Sequence, residues 1–447
     1  MDLSLLEVGG PVAAGAGGLV YARVRAPGVY WALVGLPVTR VRFAATYRTT
    51  MEVCGLTVTP ARWRSAVART VARREVRPAV PRVRRVRPTA TGLVATLRLP
   101  AGMEPADMAA ASNRLRHAWG VHAVRVVETK PGTVELRMTG FDVLRRPRLP
   151  RRAPRGLLVV PVAVRGDGSA FVRDFRKIPH NLTLGATESG KSMLQRNLVA
   201  GLAPQRVALV GIDCKRGVEH TAYAPRLSAL ATDPEQAAAL LEALVAEMGD
   251  RFDLLKAHQG VNAAVPDAEI TSDIWGLPAE VRPVPIVVLV DEVAELFMVA
   301  SKSDEERRDQ MVTHLIRLAQ MARAVGIYLE ISGQRFGSEL GKGATMLRAQ
   351  LTGRICHRVN DESSAKMALG DIAPEAVGVA CAIAPDMPGL AVAGDSSGGW
   401  SQIRTPKMSP REAAALCRDY AHLTPAIASL AAFRPALIPV ASEQATD

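Results

Sequence analysis

From Gly156 onward the chain alternates short, almost wholly apolar runs with longer stretches in which apolar residues recur at helical spacing. The runs are LLVVPVAV, NLTLGA, RVALVGID, IVVLVDE and IYLEISGQ, and the clearest helical stretches are PEQAAALLEALVAEMGDRFDLLKAHQ and HLIRLAQMARAVG. A strand without polar alternation must be covered on both faces, so this pattern predicts a mainly parallel sheet between helical layers, an α/β fold. A second rhythm occupies residues 91–143. There GLVATLRLP, HAVRVVET and TVELRMTG alternate apolar and polar positions, and PADMAAASNRLRHAWG has helical spacing. The prediction is a small α+β module in the order β-α-β-β. No repeat of fixed period runs through either part.

Stretches rich in Arg, Pro and Val, RREVRPAVPRVRRVRPTA and RRPRLPRRAPRG, bracket that module. Closely spaced like charges and prolines oppose a packed helix, so both are expected as extended connectors. The expected organisation is an apolar N-terminal segment over 1–60, an Arg/Pro-rich linker over 61–90 and the module over 91–143. A second linker follows over 144–155, then a large domain over 156–410 and a C-terminal helix and tail over 411–447. Charge divides along the same lines. The net charge is +13, yet residues 61–155 alone hold 22 Lys and Arg against 6 Asp and Glu, so the chain beyond Arg155 is slightly acidic. A basic front points to an anionic partner, nucleic acid or membrane headgroups. Arginine outnumbers lysine 47 to 9, however, and a GC-rich codon bias accounts for part of that excess.

Five scattered cysteines form no CxxC pair, which argues against a zinc site or disulfide framework and fits a reducing cytosol. The uncharged runs Val8–Ala22 and Ala26–Thr39 are shorter than the ~20 residues a transmembrane helix needs, and Gly and Pro interrupt both. An acidic start, with Asp2 and Glu7, and the lack of a small-residue cleavage site after a clean apolar core lead to the expectation that this is not a signal peptide. Arg23, Arg25, Arg40, Arg42 and Arg48 flank the apolar pieces. The segment therefore either lies against the inner membrane surface or packs as ordinary protein, in a chain expected in the cytoplasm.

Candidate chemistry enters with LGATESGKSM. Gly185, Ala186, Thr187, Glu188, Ser189, Gly190, Lys191 and Ser192 satisfy G-x-x-x-x-G-K-S, between an apolar strand and a helix. Such a loop turns its backbone N–H groups towards phosphates at a helix N-terminus; Lys191 would reach the β- and γ-phosphates and the Ser192 hydroxyl would bind Mg²⁺. The apolar strand PIVVLVDE ends in Asp291, placed to hold Mg²⁺, and Glu292, placed to orient and deprotonate the attacking water. Adjacent Asp and Glu favour a hydrolysing motor over a GTPase switch. The strand IYLEISGQRF ends in Gln334, positioned to contact a γ-phosphate. The parts arrive in the order of a RecA-like P-loop ATPase, with ATP as the nucleotide.

With the blocks around them, these motifs resemble the FtsK/SpoIIIE family of double-stranded DNA translocases, in particular the branch carried by conjugative plasmids and integrative elements. The resemblance spans about residues 156–410 and rests on GATESGKS, GIDCKRGVEH, EMGDRFDLL, VVLVDEVAEL, ARAVGIYLEISGQR, TGRICHRVNDESSAKMALGD and PGLAVAGD. It implies ATP and Mg²⁺ at Lys191 and Ser192, a Walker B pair in Asp291 and Glu292, and Gln334 as sensor. It also implies that Arg354 is an arginine finger reaching a neighbouring subunit, hence a hexamer with double-stranded DNA in its channel. Arg323 and Arg358 are chemically equal candidates for the finger.

Lys215 and Glu219 match the family pattern too, with an inter-strand ion pair and a DNA contact both open. Lys342 and Arg348, in GSELGKGATMLR, are candidates to line the channel, an unpartnered basic loop being the other reading. Phe336 replaces the family's usual proline, multi-pass transmembrane segments are absent, and about forty residues after Lys407 are too few for a winged helix. The implied function is ATP-driven movement of double-stranded DNA in transfer of a mobile element. Its rivals are a chromosome-segregation or cell-division translocase and a non-translocating scaffold that couples DNA to transfer-machinery proteins.

Overall fold

The structure, a computed structural model, describes residues 21, 25–59, 78–259, 270–337, 340–341 and 343–436. Most of the run Val8–Ala22, much of the first expected linker, Lys342 and the end of the tail lie outside the described residues. Contacts divide the chain into two compact units: Met1–Arg146 with Gly166–Ser169, and Pro147–Arg165 with Ala170–Asp447. The division at Arg146 falls inside the second stretch expected as a connector.

In the first unit helix α1 (Leu36–Val53) carries Phe43 and Met51 into a core. Its partners there include Leu93, Leu97, Leu115 and Trp119. Within the described part of the first sixty residues Phe43, Met51, Cys54 and Leu56 are buried while Val29, Leu33, Val38 and Val41 are exposed, and among the described residues no helix is long and apolar enough to cross a membrane. Strands β1 (Arg82–Pro88), β2 (Gly92–Arg98), β3 (Ala123–Lys130) and β4 (Thr133–Thr139) form an antiparallel sheet in the order β1-β2-β4-β3. Helices α2 (Pro105–Ala110) and α3 (Ser112–Trp119) follow β2. The sheet has one strand more than expected. β1, RVRRVRP, lies inside the stretch taken for a connector; as an edge strand it needs only one partner, and exposed arginines are a common feature of edges.

The second unit holds a ten-stranded sheet. It opens with the hairpin β5 (Val159–Arg165) and β6 (Ala170–Asp174), then β7 (His180–Leu184), helix α4 (Lys191–Leu202), β8 (Ala208–Ile212) and β9 (Leu227–Ala231). Helix α5 (Pro234–Gln259) leads to β10 (Ile286–Val290), α6 (Lys302–Met321) and β11 (Ile327–Gly333). The chain continues through α7 (Ala344–Gln350), β12 (Gly353–His357), α8 (Glu362–Leu369) and α9 (Val377–Cys381), and closes with β13 (Leu390–Asp395), β14 (Trp400–Arg404) and α10 (Pro410–Asp419). The strand order is β6-β5-β14-β13-β12-β7-β11-β10-β8-β9. The run from β12 to β9 is parallel and the rest antiparallel, which is the mainly parallel α/β P-loop ATPase fold.

Strand β10 shows why its sequence is apolar throughout. Ile286, Val288 and Val290 enter one core beside Leu240, Leu244, Leu315 and Leu318 of α5 and α6, while Val287 and Leu289 enter the other beside Leu194, Leu198 and Leu202 of α4. Helix α5 keeps the boundaries its periodicity predicts. Helix α6 starts twelve residues earlier than its apolar spacing suggests, because Ser301 and Asp304 form a capping box ahead of a solvated first turn.

Candidate active site

The C-terminal ends of β7, β8, β10 and β11 lie along one edge of the sheet. Parallel pairing sets Leu184 beside Gly333, Ile331 beside Val290, and Val290 beside Ile212, so the residues that follow each strand converge. The convergence is a cavity of about 290 Å³ lined by residues 186–193 together with Arg196, Lys215, Asp291 and Gln334. Two larger clefts, about 620 and 650 Å³, lie elsewhere in the unit, but the phosphate-loop residues line neither of them.

The loop after β7 is held from outside. Gly185 N–H donates to the Gly333 carbonyl at 3.1 Å, Ala186 N–H to the Arg358 carbonyl at 2.8 Å, and Gly389 N–H to the Ser189 carbonyl at 2.9 Å. Gly190 has φ +107°, and a Cβ there would fall 2.3 Å from the Gly389 nitrogen, so no other residue fits. Lys191 opens α4, and its Nζ donates to the Gly185 and Ala186 carbonyls of its own loop. Burial pulls the Lys191 ammonium below its usual pKa. The glycine cradle, a helix starting at Lys191 and a buried Ser189 hydroxyl without a partner suit a polyphosphate. Ser192 lines the cavity with Asp291, and one hydroxyl plus one carboxylate suits Mg²⁺, which takes few protein ligands when phosphates share it.

Asp291 and Glu292 follow β10, with Asp291 N–H donating to the Ile212 carbonyl at 3.1 Å. Burial pushes Asp291 up to about 6, against the opposing pull of Lys215. Glu292 is 6% exposed; its Oε1 accepts the Gln334 backbone N–H at 3.2 Å, a direct tie from β10 to the end of β11. Gln334 itself is exposed into the cavity, while Phe336 is fully buried with its ring centroid 5.9 Å from that of Phe297. The phenylalanine in place of the family's proline therefore anchors the segment after Gln334 by packing.

The block GIDCKRGVEH acquires a physical reading here. Asp213, buried after β8, accepts the backbone N–H groups of Lys215 at 3.2 Å, Glu219 at 2.9 Å and His220 at 3.1 Å, which curls the loop. The curl sets Lys215 Nζ 3.4 Å from Glu292 and 3.7 Å from Asp291. Glu219 meets Arg196 of α4 in a bidentate pair at 2.6 and 2.7 Å and accepts the Tyr223 hydroxyl. Lys215 therefore makes an ion pair between the ends of the neighbouring strands β8 and β10, one of the two readings its sequence left open, while Glu219 ties its turn to α4 through Arg196.

Arg354 is not brought to it. On β12 it is 2% exposed, its Nη2 donates to the Arg348 carbonyl at 2.6 Å, and its Nε and Nη1 have no partner. Burial lowers it to about 10. Arg348 pairs with Asp371 at 3.5 Å. Of the three arginines considered for the finger, Arg358 is the one that reaches residues 185–192, its Nη2 donating to the Thr187 carbonyl at 2.9 Å. Arg323 belongs to the cleft at the opposite ends of the strands, beside Trp275 and Tyr328.

Comparison with known proteins places these features in a family. Residues 19–140 match the N-terminal domain of actinomycete conjugal transfer proteins, and residues 144–338 match the FtsK/SpoIIIE family. The chain is 58% identical over 400 residues to "Transfer protein TraSA" of Streptomyces ambofaciens, covering 90% of this chain and 96% of that one. It is 35% identical over 217 residues to "DNA translocase FtsK" of Oceanobacillus iheyensis, covering 45% of this chain and 26% of that one. Among solved structures, the pCW3 conjugation coupling protein TcpA, in a monomer form with ATPgS, has a TM-score of 0.52 at 18% identity, covering 83% of this chain and 98% of that chain; the likeness is one of fold.

Proposed function

The chain belongs to the FtsK/SpoIIIE family, in its conjugal-transfer branch, and we propose that it is an ATP-hydrolysing motor that moves double-stranded DNA during transfer of a mobile element. The observation that carries this reading is the meeting, at one sheet edge, of the phosphate-binding loop, the Asp291–Glu292 pair and Gln334. In this reading Lys191 leaves the carbonyls of its own loop for the β- and γ-phosphates. Mg²⁺, held by the Ser192 hydroxyl and Asp291, supplies charge neutralisation at the phosphate oxygens when bound. Glu292, fixed by the Gln334 N–H, orients the attacking water and takes its proton. The Gln334 side chain reads the γ-phosphate. Its neighbour Arg335 pairs at 2.7 Å with Asp361, the N-cap of α8, so a shift at Gln334 is passed to that helix.

The reading extends to a hexamer in which Arg354 completes a neighbouring copy's site, acting in the cytoplasm near the inner membrane surface with the transfer machinery. Because Arg354 is buried in the single chain, that step requires β12 to release it. Replacing Lys191 by Ala is expected to abolish DNA-stimulated ATP hydrolysis and displacement of the third strand from a triplex. Persistence of either overturns the motor. Mixing Arg354→Ala with Lys191→Ala subunits is expected to restore part of the activity, and no recovery at any ratio removes Arg354 from the site.

A further inference from the structure

The four-stranded sheet of the first unit turns Leu93, Ala95, Leu97, Leu136 and Met138 into its core. Residues directly opposed in antiparallel strands share a face, so the register fixes what the other face carries. Three rows cross it. The first is Arg82, Arg98, Thr133 and Lys130; the second is Arg85, Thr96, Glu135 and Val127; the third is Arg87, Val94, Arg137 and Arg125.

Seven cations therefore share this face with a single strand carboxylate, Glu135, which Arg87 and Arg137 already engage at 3.4 and 3.1 Å. Asp167, in a turn that clusters with this unit, adds one more acid, 3.7 Å from Arg137. Arg82, Arg85, Arg98 and Lys130 are exposed and make no ion pair among the described residues. Like charges at this density repel one another, and a folded sheet that keeps them together is suited to a polyanion.

The spacing narrows the partner. Along β2 and β4, where the rows are two residues apart, they stand about 6.7 Å from each other, close to twice the ~3.4 Å rise per phosphate of one DNA strand, and a bulge in each of β1 and β3 absorbs one further residue. The residues between the cations are Thr96, Thr133, half-buried Val127 and buried Val94. No aromatic ring lies in the rows to stack on a base, and no exposed large apolar side chain lies there to enter a bilayer. We propose that this face holds the phosphate backbone of double-stranded DNA without reading its sequence. The inference goes beyond the motor reading, since hydrolysis at the phosphate loop proceeds or fails independently of this sheet.

The test uses the full chain without nucleotide and a duplex of about 30 bp, with affinity measured by fluorescence anisotropy from about 50 to 300 mM KCl. In the R82Q/R85Q/R98Q variant the slope of log affinity against log salt should fall in magnitude by about 2–3, with affinity at physiological salt reduced about 10-fold or more. The R82K/R85K/R98K variant should keep the parental slope, which separates lost charge from lost fold. Removing an equal charge from the exposed turn, as R151Q/R152Q/R155Q, should change the slope by less. An unchanged slope in the first variant, or an equal fall in the turn variant, overturns the proposal. So does a first variant that loses binding to phosphatidylglycerol vesicles while keeping its DNA slope. Failure of DNA-stimulated hydrolysis in the parent chain would sink the motor reading and leave these binding data standing.

Discussion

Lys215 sits between Asp291 and Glu292, the two carboxylates to which the proposed mechanism gives other tasks. Its ammonium, 3.4 and 3.7 Å from Glu292 and Asp291, offsets their mutual repulsion and stands at the cavity where charge develops during phosphoryl transfer. Lys215→Ala is therefore expected to lower ATP hydrolysis about 10²-fold, the usual cost of removing one preorganised charge, with a much smaller effect on binding of a fluorescent ATP analogue. An equal loss of binding would make Lys215 a grip on the nucleotide instead. Glu219→Gln should free Arg196 and show as a lower hydrolysis rate that Glu219→Asp partly restores.

Asp291, Glu292 and Gln334 were legible in the sequence because they follow at once on apolar strands, and Lys191 because a glycine-rich loop carries it from the end of one strand to the start of a helix. Lys215 was legible only as two alternatives, an inter-strand ion pair or a DNA contact, since its direction depends on a turn knotted by the buried carboxylate of Asp213. Arg358 was indistinguishable from Arg354 in sequence; what separates them is that Arg358 lies one residue beyond the end of β12 and Arg354 lies within it.

Among the elements, those with long uninterrupted periodicity were readable and those defined by their neighbours were not. Helix α5 carries its own signal in twenty-six residues, whereas β6, β9 and β14 are strands of five residues and β1 is an arginine-rich edge, and the identity of each comes from what it pairs with. The sheet also hides polar contacts that no pattern reveals. Glu330, on β11, is 7% exposed and is held by Arg173 of β6 and, at 3.1 Å, by Asn181 of β7. Arg173→Met would strand that carboxylate, at a cost of about 3–5 kcal/mol in urea unfolding near neutral pH. Burial already raises the Glu330 pKa, and losing Arg173 raises it further. A carboxyl raised in the folded state binds more protons there than in the unfolded chain. The variant's stability should therefore recover as pH falls from neutral towards the ordinary carboxylate range, and a pH-independent deficit would show that Glu330 is not the cause.

At the scale of the whole molecule, Arg354 is the residue whose cost within one chain points to a role outside it. Two of its guanidinium nitrogens are buried without partners. Replacing a buried, poorly compensated charge with an apolar side chain is often neutral or stabilising, so Arg354→Met should leave the unfolding midpoint of the dilute chain unchanged or higher. The same variant should lose hydrolysis at concentrations where copies assemble. A fall in the midpoint would instead make Arg354 a structural residue.

The approach of Gly190 to Gly389 bears on the order in which this protein is made. The phosphate loop is synthesised nearly two hundred residues before the glycine that clamps it, so the ribosome delivers the lock long after the loop. A growing chain halted before β13 lacks the Gly389 N–H that fixes the Ser189 carbonyl, and is expected to show no saturable ATP binding. On that expectation the loop gains its grip on a nucleotide only once the chain has been completed past Gly389.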